Sequence, residues 1–257
     1  MNTAALEDLS GPLNRNSLMT WAGRLVRIQS ITLFDGGVLN ENVGKAINQG
    51  CPDFNDLTFY QCQGDDVDSD MAGFLNALRP NSLQSFSAIG AQKVGPETLL
   101  ALNNHSSSLK TLKLDDLTLD GVRNLSFLRG CEALEVLFLK DNHGVIDLEA
   151  TENDVFLAIV AWLCGCKGLR ELTLVKFVSA PAILTLVCLH NDIKLRELDV
   201  RDYVLVGSQD FHRAVAHQTA LESLVLRAVR KELPSSNCLT FREKYMTSKI
   251  LPTESKC

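Results

Sequence analysis

The amino-acid sequence predicts an α/β solenoid of about eight repeats, in which short parallel strands alternate with helices. A six-residue pattern with apolar residues at its first, fourth and sixth positions recurs along the chain, and segments with helical spacing of apolar residues separate the copies. The first positions are Ile28, Phe54, Leu83, Leu109, Leu134, Leu169, Leu195 and Leu221. The intervals between them are 26, 29, 26, 25, 35, 26 and 26 residues, a range typical of stacked repeats.

The pattern is clearest from Leu109 to Leu114. In a strand, the fourth and sixth side chains point to one face, and the third, fifth and seventh point to the other. One such strand cannot bury its apolar face alone. The copies must therefore stack side by side into a parallel sheet with a continuous core.

The segments between the copies are predicted to form helices, because their apolar residues recur every three or four positions. These segments are Val43–Ile47, Met71–Leu78, Pro96–Leu102, Leu119–Leu128, Val155–Trp162, Ala182–Leu189 and Phe211–Ala216, and their proposed starts include Ser69 or Asp70, Asp120 and Ser208. A strand and a helix in about 26 residues predict a horseshoe with strands inside and helices outside. The 35-residue interval is expected to hold its extra residues at 143–152, in a loop.

These repeats resemble leucine-rich repeats of the cysteine-containing subtype, which is found in F-box substrate receptors and related fungal proteins. The family places Asn or Cys at the ninth position, as at Cys62 and Asn142. Cys51, Cys131 and Cys166 each stand three residues before a first position, which supports the subtype and favours a packing role. The resemblance covers residues 18–229. The remaining ninth positions depart from the pattern, with Gly36, Ala91, Leu117, Phe177, Tyr203 and Val229.

The resemblance implies a non-enzymatic protein-protein interaction scaffold, similar to the substrate-recognition repeats of F-box ubiquitin-ligase receptors. No F-box is recognisable, since the early candidate at residues 11–13 lacks the acidic-apolar pattern that follows in that module. The adaptor and cullin of a ligase are expected as partners only if an N-terminal module exists. Repeat proteins that activate a Ran-type GTPase suggest the alternative, a regulator of an enzyme such as a small GTPase. A degenerate gene product without a partner is a third possibility.

The two ends are predicted to flank one domain. Residues 1–17 are expected to be a lead-in or partial cap, followed by a short helix through Leu18 that Asn16 or Ser17 would cap. The spacing leaves no room for a strand before Ile28, so the first repeat is expected to present an open edge unless the lead-in covers it. Residues 230–257 are a tail, in which 240–250 suggest an amphipathic helix.

Composition limits the class of protein. The 257 residues are 46% hydrophobic and 22% charged, which excludes a largely disordered chain. A net charge of −6 argues against a general nucleic-acid binder. The first residues lack the basic segment followed by an apolar run that is typical of a secretory signal. No apolar run is long enough to span a membrane. The eight cysteines are therefore expected to be free thiols in the cytoplasm or nucleus.

Three motifs resemble metal-binding sites, but their residue spacing does not match those sites. Residues 66–70 alternate carboxylates as a calcium loop does, but Ala77 stands where the bidentate Glu belongs. Cys164 and Cys166 are too close for a zinc knuckle, and His212 and His217 are five apart rather than four. We therefore expect no catalytic residue, cofactor or metal, and predict that the protein is not an enzyme.

The inner face of the sheet remains as the candidate site. Its third, fifth and seventh positions place Phe34, Tyr60, Ile89 and Phe138 towards solvent, where apolar side chains have no packing role and resemble interface anchors. β-propensity alone is an alternative explanation. The later repeats contribute charges to the same face, and the eight residues proposed to bind protein are Phe34, Tyr60, Ile89, Phe138, Glu197, Asp199, Arg201 and Arg227.

Overall fold

Each of the eight copies of the six-residue pattern forms a strand that begins at the third position of the copy. The computed structural model describes residues 3–5, 14–64, 66–141, 147–177, 179–204, 209–229 and 245–249. The strands in these ranges are β1 (Thr3–Ala5), β2 (Ser30–Asp35), β3 (Asp56–Gln61), β4 (Ser85–Ile89), β5 (Thr111–Leu117), β6 (Val136–Asp141), β7 (Glu171–Val175), β8 (Glu197–Val204), β9 (Ser223–Val229) and β10 (Tyr245–Lys249).

All these strands belong to one sheet, in which their order along the chain is also their order in space. From β2 to β9 the strands are parallel, and equivalent positions of neighbouring copies lie opposite one another. Leu112, for example, pairs with Phe86 on one side and with Leu137 on the other. This arrangement confirms the α/β class and the parallel sheet that the repeats predict.

Both edges of the parallel sheet carry a further strand, and here two expectations were wrong. Thr3–Ala5 pairs with Ser30–Thr32 in parallel, so there is room for a strand before the first copy. Tyr245–Lys249 forms a strand antiparallel to β9 and not a helix. An edge strand offers unpaired N–H and C=O groups, so a short segment gains hydrogen bonds there without any apolar pattern.

Most of the helices that connect the strands lie where the spacing of apolar residues predicts them. They are α1 (Arg15–Ala22), α2 (Glu41–Gly50), α3 (Val67–Ala77), α4 (Pro96–Ala101), α5 (Leu119–Arg123), α6 (Leu148–Thr151), α7 (Asn153–Gly165), α8 (Ala180–Leu189) and α9 (Gln209–Ala216). Helix α6 lies within the 35-residue interval at residues expected to form a loop, so that expectation was wrong for 148–151, where Asp147 caps a helical turn by accepting the Ala150 N–H. Residues 142–146 of that interval, Asn142 among them, lie outside the described residues. Short 3-10 turns at Leu102–His105 and Asn124–Gly130 extend α4 and α5.

Several helix starts differ from those proposed from the sequence. Asn14 caps α1, where its side chain accepts the Ser17 N–H, and Thr118 caps α5 by accepting the Gly121 N–H. Helix α3 begins at Val67, two residues before the proposed Ser69, and Ser208 lies outside the described residues. Clusters of Asn, Ser, Thr and Asp precede these helices, and the sequence does not say which member of a cluster caps.

One hydrophobic core lies between the sheet and the helices. The first, fourth and sixth positions of the fourth copy, Leu109, Leu112 and Leu114, are fully buried, as are their counterparts in most other copies. The last copy is an exception, because Leu224 and Leu226 are only partly buried. The third, fifth and seventh positions are exposed or partly buried in nearly every copy. We call this solvent-facing side of the sheet the open face.

The ninth positions complete the core mainly with apolar groups. Ala91, Leu117, Phe177 and Tyr203 are each buried there, whereas Cys62 is only partly buried. In four copies the chain reaches the ninth position through a left-handed residue at the eighth, namely Gly90, Asp116, Lys176 and Asp202. The left-handed residue interrupts the alternation of side chains along the strand, so in these copies the seventh residue is the last one that points to the open face.

Polar side chains three residues before a first position link neighbouring repeats. The thiol of Cys51 donates to the Ala22 carbonyl, and that of Cys166 donates to the Cys131 carbonyl, 3.4 Å away. In the last copy Gln218 takes this position and donates to the Cys188 carbonyl at 2.7 Å. The cysteines are buried and unbridged, which confirms the predicted packing role.

Asp68 caps a helix of the following repeat. Its carboxylate accepts the backbone N–H groups of Gly95, Glu97 and Thr98 at 2.9–3.0 Å, at the start of α4. A Cβ on Gly95 would lie 2.6 Å from the Asp68 carboxylate, so glycine leaves the space that this contact needs. These donors would otherwise be unpaired at the helix terminus.

We predict that Asp68→Ala lowers the free energy of unfolding by about 1–3 kcal/mol, since three N–H groups lose their acceptor. Asp68→Asn, which keeps one carbonyl oxygen, should lose less. The measurement is urea unfolding followed by circular dichroism. Asp53→Ala is the matched control, because Asp53 is exposed and makes no side-chain hydrogen bond with the described residues. Equal losses in Asp68→Ala and the control would refute the capping role.

His105 is fully buried and bridges two repeats in its neutral form. Its Nδ1 accepts the Leu83 N–H, so its Nε2 carries the proton and donates to the Leu75 carbonyl at 3.2 Å. Burial lowers the pKa of His105, although the bond to Leu75 opposes the shift. A second proton on Nδ1 would face the Leu83 N–H, so the folded protein resists protonation.

Acid should therefore destabilise the fold through His105. Below about pH 6.5 the unfolded chain binds a proton that the native protein does not, so stability falls as the pH decreases. In His105→Gln, unfolding should depend less on pH between 7.5 and 5.5, as measured by urea midpoints at both values. His217→Gln, at an exposed histidine, is the control and should behave as wild type. An unchanged pH dependence in His105→Gln would exclude this explanation.

Candidate protein-binding site

The parallel register arranges the open face in rows that run across the strands. Side chains at the same position of neighbouring copies lie about 4.8 Å apart, the spacing between strands. The seventh positions form the row Phe34, Tyr60, Ile89, Asp115, Lys140, Val175, Arg201 and Arg227. Seven of the eight residues predicted to bind protein belong to this row or to the fifth position beside it, and Phe34, Tyr60 and Ile89 are consecutive members.

Three apolar side chains at the N-terminal end of this row project into solvent. Phe34 is 73% exposed, Tyr60 is 50% exposed and Ile89 is 37% exposed. The strands β2, β3 and β4 that carry them are direct neighbours. Their exposure agrees with the sequence prediction for these three residues. We call Phe34, Tyr60 and Ile89 the apolar row.

Phe138, which the sequence prediction grouped with these three residues as an anchor, lies on the same face but outside the apolar row. It occupies a fifth position on β6, where its register partners are Lys113 and Thr173. Its side chain is partly buried, not freely exposed. The row of seventh positions is no longer apolar after Ile89, because its next two members, Asp115 on β5 and Lys140 on β6, form a salt bridge of 2.7 Å.

Phe138 instead lines a cavity of about 170 Å³ on the open face, over β5 to β9. Val136 on β6 and Val225 on β9 add apolar surface to the lining. The charged groups in the lining are Lys113, Glu171, Glu197 and Asp199. Two of the residues proposed from the sequence, Glu197 and Asp199, are therefore brought together with Phe138.

The remaining two predicted residues, Arg201 and Arg227, are register partners on β8 and β9. Arg201 donates to the carboxylate of Asp199, two residues earlier on the same strand, with Nε 2.9 Å from Oδ1. This hydrogen bond raises the pKa of the Arg201 guanidinium above its usual value. The charge of Asp199 is thus balanced within its own strand.

Sequence reasoning did not identify the cavity, although the predicted alternation puts Lys113, at a fifth position, and Glu171, at a third position, on the face that carries it. Aligning the copies by position would have put Lys113, Phe138 and Asp199 in one row. That alignment does not reveal where side chains leave an enclosed volume, because the volume depends on rotamers and on the curvature of the sheet. The sequence prediction also omitted exposed leucines on the helices, among them Leu100 and Leu157.

Two carboxylates of the alternating series at residues 66–70 make separate contacts in the structure. The carboxylate of Asp68 binds the α4 backbone, and that of Asp70 pairs with Arg15, so the two acids have separate partners. No three His, Cys, Asp or Glu side chains in the described ranges converge on a metal position. In the same ranges, no helix is both long and apolar enough to cross a bilayer.

The buried thiols are poorly suited to nucleophilic or redox chemistry. Desolvation raises the pKa of Cys131, Cys166 and Cys188 to about 12. At pH 8 only about one thiol in ten thousand would then be a thiolate, the reactive form. Cys164, the neighbour of Cys166, is only partly buried, and burial raises its pKa as well.

Comparisons with known proteins do not assign the chain to a family. No protein-family model matches it, and a search of curated proteins found no match.

We predict that Cys131, Cys166 and Cys188 resist iodoacetamide in the native protein at pH 8 and react fully in concentrated urea. Burial restricts access and the raised pKa removes the thiolate, so both effects act in the same direction. Peptide mapping by mass spectrometry measures the modification at each site. Rapid labelling of Cys166 in protein that keeps its native circular dichroism would show that this thiol is reactive after all.

Proposed function

We propose that the protein is a non-enzymatic scaffold for protein-protein interaction and that the open face is its binding surface. The observation that carries this proposal is the apolar row, in which Phe34, Tyr60 and Ile89 stand side by side in solvent. Each is the last open-face residue of its copy, so none contributes to the core beneath the sheet. Exposed aromatic groups in a polar setting are characteristic of protein interfaces.

The shape of the open face favours a protein over a small substrate. Its cavity, at about 170 Å³, is smaller than the roughly 300–1,000 Å³ of ordinary small-molecule sites. Hydroxyl groups at Ser30 and Thr58 and the Asp115–Lys140 ion pair supply a polar surround for the apolar row. A macromolecular partner could cover both the row and its surround.

A leucine-rich-repeat horseshoe of the cysteine-containing subtype is the architecture that we propose for this sheet and its helices. The repeat length and the buried cysteines at a fixed position support it. By the resemblance described above, the function would be similar to substrate recognition in F-box ubiquitin-ligase receptors. The free thiols of the described residues suit a reducing compartment, so we propose the cytoplasm or nucleus.

Replacing the two most exposed anchors tests the proposal. We expect Phe34→Ser/Tyr60→Ser to lose at least about tenfold of partner capture, because anchor residues typically contribute 2 kcal/mol or more. The tagged protein and its variants are used for affinity purification from cells, with quantitative mass spectrometry. Only proteins whose capture differs between variants count as partners.

Leu100→Ser/Leu157→Ser is the matched control, since these two leucines are about as exposed as Tyr60 but lie on helices. Its captured proteins should match those of wild type. Circular dichroism verifies that both double variants fold. If Phe34→Ser/Tyr60→Ser captures the same proteins in the same amounts as wild type, the apolar row is not the binding surface and the proposal fails.

A further inference from the structure

The cavity on the open face separates charges of opposite sign around an apolar centre. Lys113 lies at the β5 end, Phe138 follows on β6, and Glu171 and Glu197 lie beyond it on β7 and β8. Ser223 and Val225 of β9 line the far end. This arrangement differs from a plain acidic patch, because a ligand must match both ends at once.

Lys113, Glu171 and Glu197 have no side-chain hydrogen bond or ion pair within the part of the chain that the structure describes. Nearby charges of the same face are balanced: Asp115 pairs with Lys140. Glu171 and Glu197 are moreover register partners, so two carboxylates lie side by side on adjacent strands. Like charges in that position are destabilising, and a cation placed over them would remove the repulsion.

We propose that the cavity binds an extended peptide segment of the protein partner, in which a basic and an acidic side chain flank an apolar one. This inference rests on the proposed function and specifies its partner. The basic group would lie over Glu171 and Glu197, the apolar group would pack on Phe138, and the acidic group would face Lys113. Opposite charges at the two ends also fix the direction of the bound segment.

The spacing of the strands sets the length of that segment. Lys113 is two strands from Glu171 and three from Glu197, a lateral separation of roughly 10–14 Å. An extended peptide advances about 3.3 Å per residue and its side chains alternate between two faces. Its two charged residues should therefore be four positions apart, with the apolar residue midway between them. A metal ion is a poorer match, since no third acidic, His or Cys ligand converges with the two glutamates among the described residues.

Selection from a random dodecapeptide library displayed on phage tests the inference. On the wild-type protein we expect Arg or Lys and Asp or Glu, four residues apart, to be enriched about fivefold over the library. Glu171→Gln/Glu197→Gln should lose the basic preference and keep the acidic one. Lys113→Gln should lose the acidic preference and keep the basic one. For a selected peptide, Kd should rise about threefold to tenfold in the double variant, as measured by fluorescence polarisation.

Two controls exclude a general effect of net charge. Glu97→Gln/Glu132→Gln changes the net charge as the double variant does, at exposed glutamates outside the cavity, and Lys194→Gln is the corresponding control for Lys113. Both should select the same peptides as wild type. Loss of charge preference in the controls as well would overturn the inference.

The same phage selection is carried out on the Phe34→Ser/Tyr60→Ser variant, so that failure of the cavity inference can be distinguished from failure of the scaffold proposal. Peptides that depend on these anchors but show no paired charges would overturn the cavity inference and leave the scaffold function standing. Paired charges that survive both cavity variants would overturn it as well. If neither the anchors nor the cavity charges affect any selected peptide, or if no peptide is selected, the inference and the use of the open face both fail.

Discussion

The structure depends on the in-register pairing of parallel strands. Because each copy pairs with its neighbour at the same position, the fourth and sixth side chains of successive copies lie in continuous rows beneath the sheet. A slip of one residue in any strand would turn its apolar face towards solvent. The ladder of backbone hydrogen bonds and the burial of Leu112 and Leu114 therefore enforce each other, and the helices pack onto the surface that results.

Polar links between repeats add specificity to this stack. Asp68 caps the first turn of α4, whereas His105 and Gln218 accept the N–H groups of Leu83 and Leu195, the first residues of two copies. These groups are buried or partly buried, so a displaced neighbour would leave a donor or acceptor without a partner. Apolar contact holds the repeats together, and these hydrogen bonds favour one alignment of the repeats that they join.

The same register creates the candidate site. Rows of equivalent positions place Phe34, Tyr60 and Ile89 together without any packing need, and they place Glu171 beside Glu197 in spite of charge repulsion. A sheet face selected only for stability would alternate charges or use small polar groups, as the hydroxyls at Thr32 and Thr58 do in the same strands. The two departures lie on one surface, which is why we assign binding to it and not to the helices.

The sequence by itself determined the repeats, the eight parallel strands, the helices between them and the face to which each side chain points. These features follow from local periodicity, because every copy repeats the same pattern of apolar and polar residues.

Tertiary structure decided the features that have no periodic signal in the sequence. Edge pairing made strands of Thr3–Ala5 and Tyr245–Lys249, because unpaired backbone groups accept almost any sequence. Packing across neighbouring strands placed Phe138 in a cavity with Lys113 and Glu171, since the cavity is formed by side chains from five strands at once.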